Sequence, residues 1–270
     1  MTATTRTAPM TSMTGNAYVR AALGIAGRTL RTTFRNPALL MPPLVAPLIF
    51  FTTLGGGLGA LSGAPGFHFP GGYTSFSFVF ILLNGASFAA IFAGLALAQD
   101  LESGFSRRLM LGVGRRSAVL VGYGLTAVVR IALGLAVLFG AATAVGVRVH
   151  GSPWNIVWLV GVALGFGVAV ALWAIGAALR LRSVQGAPAI QVPVLMAMFF
   201  APAFAPLALL TGWIHRAATW NPISYLLSSG RGFLAGSPTD VLRAGLVLAV
   251  LVPLLFVWAG TGLRRAARTV

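Results

Sequence analysis

The residues that could carry acid–base or nucleophilic chemistry are few in this chain. Its only carboxylates are Asp100, Glu102 and Asp240, and it contains neither lysine nor cysteine. Without lysine there is no phosphate-binding loop of the GxxxxGK[ST] type and no Schiff-base lysine. Without cysteine there are no disulfides, thiol nucleophiles or cysteine-based metal sites. The sequence therefore cannot hydrolyse ATP through a P-loop of its own.

A metal site or a hydrolytic site would have to use His68, His150 or His215. All three fall in predicted outer loops without an adjacent cluster of carboxylates, so we interpret them as loop residues and predict no metal site. An intramembrane hydrolase needs a serine and a histidine at matching depth, and Ser228 with His215 is the one candidate pair. We predict no catalytic residue. A self-sufficient channel or intramembrane enzyme, working without an ATPase partner, is the alternative hypothesis.

Polar groups concentrate in residues 99–117, which read QDLESGFSRRLMLGVGRRS and contain four arginines and two of the three carboxylates. Leu101, Phe105 and Leu109 stand beside Glu102 and Arg108, so this segment can form a short helix with an apolar side and charged flanks. Such a helix docks in the groove of a partner protein. The alternative is a basic loop that lies on anionic lipid headgroups.

The composition places these groups in a membrane protein. Hydrophobic residues make up 57% of the chain and charged residues 8%, with a mean hydropathy of +0.90. A soluble domain needs roughly 25% charged residues, so a water-soluble globular fold is excluded. The net charge of +16 comes from arginines that lie between long apolar stretches. That arrangement indicates contact with an anionic lipid leaflet rather than with nucleic acid.

Six apolar stretches are close to the roughly 20 residues that cross a bilayer. They are residues 39–61, 75–98, 118–147, 156–179, 189–213 and 241–263. The third is long and has Arg130 as its only charge, so we expect one long helix with Arg130 near the inner headgroups. Prolines within the first and fifth stretches predict kinks there; these are Pro42, Pro43, Pro47, Pro193, Pro202 and Pro206.

The ends and loops complete the predicted topology. Residues 1–16 are predicted to be a disordered cytoplasmic tail, and residues 17–270 a single transmembrane domain. Residues 17–36 form a predicted amphipathic helix in the inner interface, with arginines on one side. Its predicted apolar side consists of Val19, Ala22, Leu23, Ala26, Leu30 and Phe34. Fourteen of the nineteen arginines lie inside and four outside when both termini are cytoplasmic. The last outer loop, residues 214–240, is apolar enough to form short re-entrant helices.

The loop at residues 99–117 resembles that of the membrane subunits of type 2 ABC transporters, in particular the daunorubicin-resistance class of drug export permeases. In that family the connection between the second and third spans carries acidic residues, a glycine, an arginine followed by an apolar residue, a further arginine, and a glycine in the next helix. The matching residues here are Asp100, Glu102, Gly104, Arg108, Leu109, Arg116 and Gly122. Val113 stands where the family has a proline.

Two further segments agree with the family. The last outer loop carries an Asn-Pro pair, an apolar helix and an arginine before a glycine; the matching residues are Asn221, Pro222, Tyr225, Arg231 and Gly236. The amphipathic helix ends at Arg35, and Asn36 and Pro37 begin the first span. The resemblance therefore extends over essentially the whole chain.

The resemblance implies an all-α integral membrane protein: a six-span permease subunit of the plasma membrane that pairs with a second copy as a homodimer or heterodimer. Two copies of a separate P-loop ATPase would bind ATP and magnesium, so this chain needs no cofactor, and nucleic acid is not a partner. Residues 99–117 would be the helix that couples to the ATPase, with Asp100, Glu102, Gly104, Arg107, Arg108, Leu109 and Arg116 as its site residues. The substrate would be an amphipathic drug or lipid-like molecule whose binding residues are unknown.

Overall fold

The computed structural model describes the backbone of residues 15–104 and 117–268. Side chains are described for residues 17–38, 41–104 and 117–266. These residues form α-helices joined by loops and short 3₁₀ turns, which confirms the predicted helical fold class. In chain order the helices are α1 (Gly15–Arg35), α2 (Pro37–Gly57), α3 (Gly72–Glu102), α4 (Ser117–Ala144), α5 (Trp154–Leu181), α6 (Ala187–Phe199), α7 (Gly212–Trp220), α8 (Pro222–Ala235) and α9 (Val241–Arg268).

Helix α3 forms the centre of the bundle and packs against α2, α4 and α5. Its residues are apolar on all sides, and Phe78, Ile81 and Leu82 have no exposed surface. A helix that is hydrophobic all round belongs in the interior of a large bundle. By contrast, α9 packs on α5 with one side and leaves Leu242, Val250 and other large apolar residues exposed, as expected of a helix that faces lipid.

Among the residues that the structure describes, four helices are long and apolar enough to cross a membrane: Gly72–Glu102, Ser117–Ala144, Trp154–Leu181 and Val241–Ala266. They correspond to the second, third, fourth and sixth predicted stretches. The first and fifth stretches contain shorter apolar helical segments, Met41–Gly57 and Val184–Phe199. Six crossings therefore remain a prediction beyond the four helices that meet this criterion.

The fifth stretch differs most from the sequence prediction. Helix α6 ends at Phe199, and an irregular segment leads through a 3₁₀ turn at Leu207–Leu209 to α7. Pro202 and Pro206 lie in this irregular segment, so they do not kink a continuous span as predicted; proline cannot donate the hydrogen bond that would continue the helix. In α2, all three predicted prolines lie within one continuous helix.

Two helices occupy the last predicted loop. Short re-entrant helices were expected in this loop, and its apolar segments 223–227 and 232–234 both lie in the single helix α8, which α7 precedes. Helix α8 packs against α3, α5 and α9. It is buried on most of its surface, so this region is part of the packed bundle rather than a tether between spans.

The amphipathic helix α1 lies against α4 with a side that overlaps the predicted apolar side in Ala22 and Ala26 and is otherwise rotated from it. Its buried residues are Ala22, Ile25, Ala26, Thr29 and Thr33. The larger predicted apolar residues Val19, Leu23 and Phe34 are about half exposed. Small residues allow α1 to approach α4 closely, and the exposed large ones remain available to the lipid interface.

Arg130 does not extend toward headgroups as the sequence predicted. It lies midway along α4 and is buried, with its Nη1 3.4 Å from the backbone oxygen of Phe92 in α3. Because α4 packs against α3, the side chain of Arg130 contacts α3 instead of extending to the surface of the bundle. Arg130 therefore belongs to the interior of the bundle.

Candidate functional site

Asp100, in the last turn of α3, joins three helices. Its carboxylate accepts hydrogen bonds from Nη1 and Nη2 of Arg28 in α1, at 3.2 and 3.4 Å, and from the hydroxyl of Tyr123 in α4. A bidentate guanidinium–carboxylate pair fixes orientation as well as distance. Asp100 therefore holds α1 and α4 to the end of the central helix.

A glycine next to Tyr123 allows the close contact between α1 and α4. A Cβ atom at Gly122 would lie 2.8 Å from Cβ of Ile25 and 3.0 Å from the backbone oxygen of Ala22. No side chain fits there unless α1 moves away. Gly122 was singled out from the sequence by resemblance alone, and the structure gives it a steric role.

Glu102 connects α3 to the turn between α5 and α6. Its Oε2 accepts a hydrogen bond of 3.0 Å from the backbone amide of Val184, which begins the 3₁₀ turn Val184–Gly186. The side chain remains exposed. The sequence assigned Glu102 to a partner contact; the structure shows a contact within the chain, and the exposure of the carboxylate leaves its other oxygen accessible.

Helix α3 ends in a glycine turn. The amide of Gly104 donates to the backbone oxygen of Leu101 at 3.2 Å, and its φ of +72° is a conformation that side chains rarely adopt. The remaining predicted coupling residues, Arg107, Arg108, Leu109 and Arg116, lie outside the described residues. The helix predicted there remains a prediction.

Sequence reasoning missed a cluster at the neighbouring end of α5. Arg180 donates to the backbone oxygens of Gly176 and Trp258, at 2.6 and 2.8 Å, and to the hydroxyl of Thr261 at 2.7 Å. Its guanidinium lies 3.4 Å from the ring centroid of Trp258, which stacks on Trp173 at 5.4 Å. This cation–π contact fixes α9 to α5. An arginine in the last turn of an apolar helix, one residue before its end, was the only sequence signal.

The predicted Asn-Pro pair begins α8 and anchors it. The side-chain oxygen of Asn221 accepts from the amide of Ile223 at 2.9 Å, and its Nδ2 donates to the backbone oxygen of Ala197 at 2.5 Å. Pro222 occupies the first helical position, where its missing amide costs nothing. One asparagine therefore caps α8 and attaches it to α6.

Arg231 holds the irregular segment that follows α6. It is buried, and Nη1, Nη2 and Nε donate to the backbone oxygens of Pro202, Ala203 and Phe76 at 2.8, 3.0 and 3.3 Å. The guanidinium also lies 3.6 Å from the ring centroid of Phe76. Burial lowers the pKa of Arg231, yet a guanidinium starts so high that it stays charged at neutral pH. All these partners are neutral, so the charge itself is not cancelled.

A cavity of about 490 Å³, here named the α8 cavity, lies beside Arg231. The loop before α3, the irregular segment after α6, helices α7 and α8, and the start of α9 form its walls. Ser228 donates to Asp240 at 2.7 Å, and Arg243 pairs with the same carboxylate at 3.2 Å. Tyr225, from the predicted motif, lines this cavity, and its ring centroid lies 5.6 Å from the guanidinium carbon of Arg243.

The candidate hydrolytic pair has separate partners. His215 Nδ1 lies 3.2 Å from the backbone oxygen of Leu207, whereas the hydroxyl of Ser228 donates to Asp240. No hydrogen bond joins Ser228 to His215 in the described part of the chain. Nor do the residues 15–104 and 117–268 contain a group of three His, Asp or Glu side chains that could hold a metal ion. The described geometry offers binding surfaces and links between helices rather than a catalytic constellation.

Comparison with known proteins places this arrangement among transporters. Residues 22–235, from α1 to the end of α8, match the ABC-2 type transporter family. Two relatives carry the description "Probable doxorubicin resistance ABC transporter permease protein DrrC", from the CDC 1551 / Oshkosh and H37Rv strains of Mycobacterium tuberculosis. Each is 25% identical over 258 residues, covering 93% of this chain and 90% of the relative.

Proposed function

We propose that this chain, which belongs to the ABC-2 type transporter family, is the membrane-spanning permease subunit of an ATP-driven exporter. A separate ATPase subunit, in two copies, binds ATP and magnesium, because this chain has no lysine for a P-loop. The permease moves an amphipathic small molecule, a drug or lipid-like compound, outward across the plasma membrane. The chain itself is a transport subunit and not an enzyme.

The observation that carries this proposal is the attachment of three elements to the end of α3. Asp100 binds α1 and α4, and Glu102, two residues later, binds the turn between α5 and α6. Both residues belong to the predicted coupling segment, residues 99–117, and the rest of that segment follows them directly in the chain. A displacement of that segment therefore acts on α3, α1, α4 and α5 together, rather than on one loose loop.

The buried position of α3 explains how such a displacement reaches the rest of the protein. Helix α3 runs through the centre of the bundle, and the backbone oxygen of Phe76, near its other end, accepts from Arg231 in α8. Packed interiors transmit small shifts because they deform in discrete steps. ATP binding closes the two ATPase subunits, and the resulting motion of α3 opens the path between two permease copies at the opposite end.

The topology that goes with this function has six crossings and both termini in the cytoplasm, within one domain spanning residues 17–270. The arginine distribution supports this orientation, since fourteen arginines then lie inside and four outside. The path forms between this chain and a second permease copy, identical or different. Residues 1–16 are the cytoplasmic tail.

Aromatic side chains near the end of α6 support an amphipathic substrate. Phe199 and Phe204 stack at 5.8 Å, both are partly exposed, and Phe204 contacts Phe80 of the core at 5.3 Å. Of the other aromatic residues in the proline-rich stretches, Phe51 is buried against Phe78 and packs the core. Exposed rings next to an irregular segment offer a flat apolar surface to a passing molecule.

Purification of the tagged chain from its own host membranes tests the proposal. In mild detergent we expect a P-loop ATPase to co-purify and the complex to hydrolyse ATP in a vanadate-sensitive manner. A tagged Asp100→Asn variant, inserted in the membrane to the same level as the wild type, is purified in parallel. A lower vanadate-sensitive ATP hydrolysis in this sample would show that Asp100 couples the two subunits. Recovery of the wild-type chain alone and inactive, in several detergents, would contradict the assignment as an ABC permease subunit.

A further inference from the structure

The α8 cavity has the size and lining of a small-molecule site. Its volume of about 490 Å³ falls within the range of roughly 300–1,000 Å³ typical of ligand pockets. Phe69, Phe76 and Tyr225 contribute aromatic walls, and Arg231, Arg243 and Asp240 contribute charge. Apolar walls with a few charged groups are the usual composition of a site that binds and orients an organic ligand.

The charges of the cavity do not cancel. Arg243 pairs with Asp240 at 3.2 Å. Asp240 is the one carboxylate among the residues that line the cavity. Arg231 is held by the backbone oxygens of Pro202, Ala203 and Phe76, which are neutral. The fixed charges of the lining therefore leave one positive charge, and it is buried, where its field is screened less than at an exposed site.

The cavity also has an approach from solvent. Arg243 and Asp240 lie at its rim, with exposed side-chain fractions of 67% and 29%. Phe69 and Tyr225 flank the interior, and the hydroxyl of Tyr225 donates to the backbone oxygen of Thr219 in α7. The rings of Phe69 and Tyr225 and the guanidinium of Arg231 line the same cavity, so one ligand can contact all three.

We propose that the α8 cavity binds an amphipathic molecule by its anionic group, a phosphate, sulfonate or carboxylate, with the apolar part against Phe69 and Tyr225. The anionic group lies at Arg231 and Arg243, where charge-assisted hydrogen bonds form. A cationic group of the same shape is rejected by the uncancelled charge. The α8 cavity faces the outside of the cell only if the proposed topology, with both termini in the cytoplasm, is correct, so its location rests on the proposed function. The preference of the cavity for an anionic group does not depend on that topology.

The cysteine-free sequence allows a direct test of charge preference. Ser237, in the cavity wall, is replaced by cysteine, and the matched control is Ala60→Cys, an exposed position within residues 36–67, which contain no charged side chain. Each single-cysteine protein in membranes is treated with anionic sulfonatoethyl and with cationic trimethylammonioethyl methanethiosulfonate. We expect the anionic-to-cationic rate ratio to be about fivefold higher at Ser237→Cys, the effect of one nearby unit charge.

Two substitutions at the rim give opposite expected changes. Combined with Ser237→Cys, Asp240→Asn raises the ratio and Arg243→Gln lowers it. Both side chains are partly exposed, and asparagine at position 240 keeps an oxygen that can accept from the hydroxyl of Ser228. Arg231→Gln lowers the ratio while Arg231→Lys keeps it, which separates charge from packing. Equal ratios at Ser237→Cys and Ala60→Cys, or rim variants without opposite effects, would overturn the proposal.

Protection of Ser237→Cys tests binding itself, in phosphatidylcholine nanodiscs with a neutral maleimide as the label. We expect 1-anilinonaphthalene-8-sulfonate to slow labelling and the neutral analogue N-phenyl-1-naphthylamine to leave it unchanged. Slower labelling in phosphatidylglycerol nanodiscs without added probe identifies a lipid headgroup as the occupant, and slowing only by the sulfonate identifies a soluble amphiphile. Both outcomes support the anion site. The proposal is overturned if the neutral analogue slows labelling as much as the sulfonate does, or if labelling is slowed by neither compound and not by phosphatidylglycerol.

The two proposals fail in distinguishable ways. Both methanethiosulfonate reagents are impermeant, so labelling of intact cells reports which side Ser237 faces. If Ser237→Cys reacts only after the cells are opened, the proposed orientation is wrong, while the rate ratio measured in opened membranes still decides the anion preference. If no ATPase co-purifies, the permease assignment is wrong without any effect on that ratio.

Discussion

Arg28 and Asp100, separated by 72 residues in sequence, form a two-point contact that attaches the amphipathic helix α1 to the end of the central helix α3. The hydroxyl of Tyr123 in α4 binds the same carboxylate. An ion pair at this exposure contributes only about 0.2–1 kcal/mol to stability. Its larger effect is geometric, because it keeps α1 and α3 in a fixed relation at the end where the predicted coupling segment begins.

We therefore predict that Asp100→Asn separates coupling from stability. The variant keeps an acceptor for Tyr123 but loses the charge that orients Arg28. Insertion and thermal stability change little, by about 1 kcal/mol at most, whereas vanadate-sensitive ATP hydrolysis of the complex and export both fall strongly. Export in membrane vesicles, normalised to the amount of inserted protein, is the measurement.

Two variants test the specificity of this effect. Arg31→Gln removes an exposed arginine of α1 for which the structure shows no contact with Asp100, and should behave as wild type. The exchange Arg28→Asp with Asp100→Arg restores the pair in reverse and should recover part of the export. Full export by Asp100→Asn would show that the contact of Arg28 with Asp100 does not transmit motion.

Replacement of Glu102 and Arg108 together is predicted to abolish export while leaving membrane insertion intact. Glu102 binds the amide of Val184, so Glu102→Ala detaches the end of α3 from the turn after α5. Glu102→Gln, which keeps an oxygen acceptor, should retain more export than Glu102→Ala. The comparison uses export per inserted protein, and normal export by the double variant would refute the coupling assignment.

The sequence singled out Asp100 and Glu102 but not the groups that these carboxylates contact within the chain. Asp100 and Glu102 stood out because carboxylates are so rare in this chain. Their partners did not: Arg28 is one of 19 arginines, and Val184 contributes only its backbone amide. Pairings between distant segments depend on how helices pack, and hydropathy contains no information about that.

The bounds of the helices were likewise predicted well in some places and wrongly in others. Hydropathy predicted α3, α4, α5 and α9 within a few residues, because each is a long apolar stretch bounded by polar or glycine residues. It predicted the end of α6 wrongly, because Pro202 and Pro206 break a stretch that remains apolar through residue 213. For α1 it put Ala22 and Ala26 on the same side as Leu23 and Phe34, whereas the structure buries the two alanines and leaves Leu23 and Phe34 about half exposed, because the side that packs against α4 is rotated from the most hydrophobic one.

Gly122→Ala is predicted to destabilise the contact between α1 and α4. The added methyl group would lie 2.8 Å from Cβ of Ile25, so α1 must move, at a cost of about 1–3 kcal/mol. The matched control is Gly124→Ala in the same helix, where a methyl group meets nothing within 4 Å. Alanine favours the helix there, so Gly124→Ala should keep or raise the unfolding temperature.

Thermal unfolding of both alanine variants in detergent, followed by intrinsic fluorescence or by light scattering, is the measurement. A lower unfolding temperature for Gly122→Ala alone would support the close approach of α1 to α4. Equal unfolding temperatures for Gly122→Ala and Gly124→Ala would mean that α1 does not lie against Gly122 in the detergent-solubilised protein.

Arg231 is predicted to matter more for stability than any exposed arginine of the same region. Its guanidinium satisfies the backbone oxygens of Pro202 and Ala203 in a segment where Pro202 and Pro206 prevent a regular helix. In Arg231→Gln these oxygens lose their charged donors, and a buried acceptor without a partner costs about 1–3 kcal/mol. Arg231→Lys keeps the charge but not the planar fork, so it should recover only part of the loss.

Arg216→Gln, at an exposed position of α7, is the control and should unfold at the wild-type temperature. If Arg231→Gln unfolded together with Arg216→Gln, the segment after α6 would have to be held by its own packing, and the anion site would lose the rigid guanidinium on which it depends.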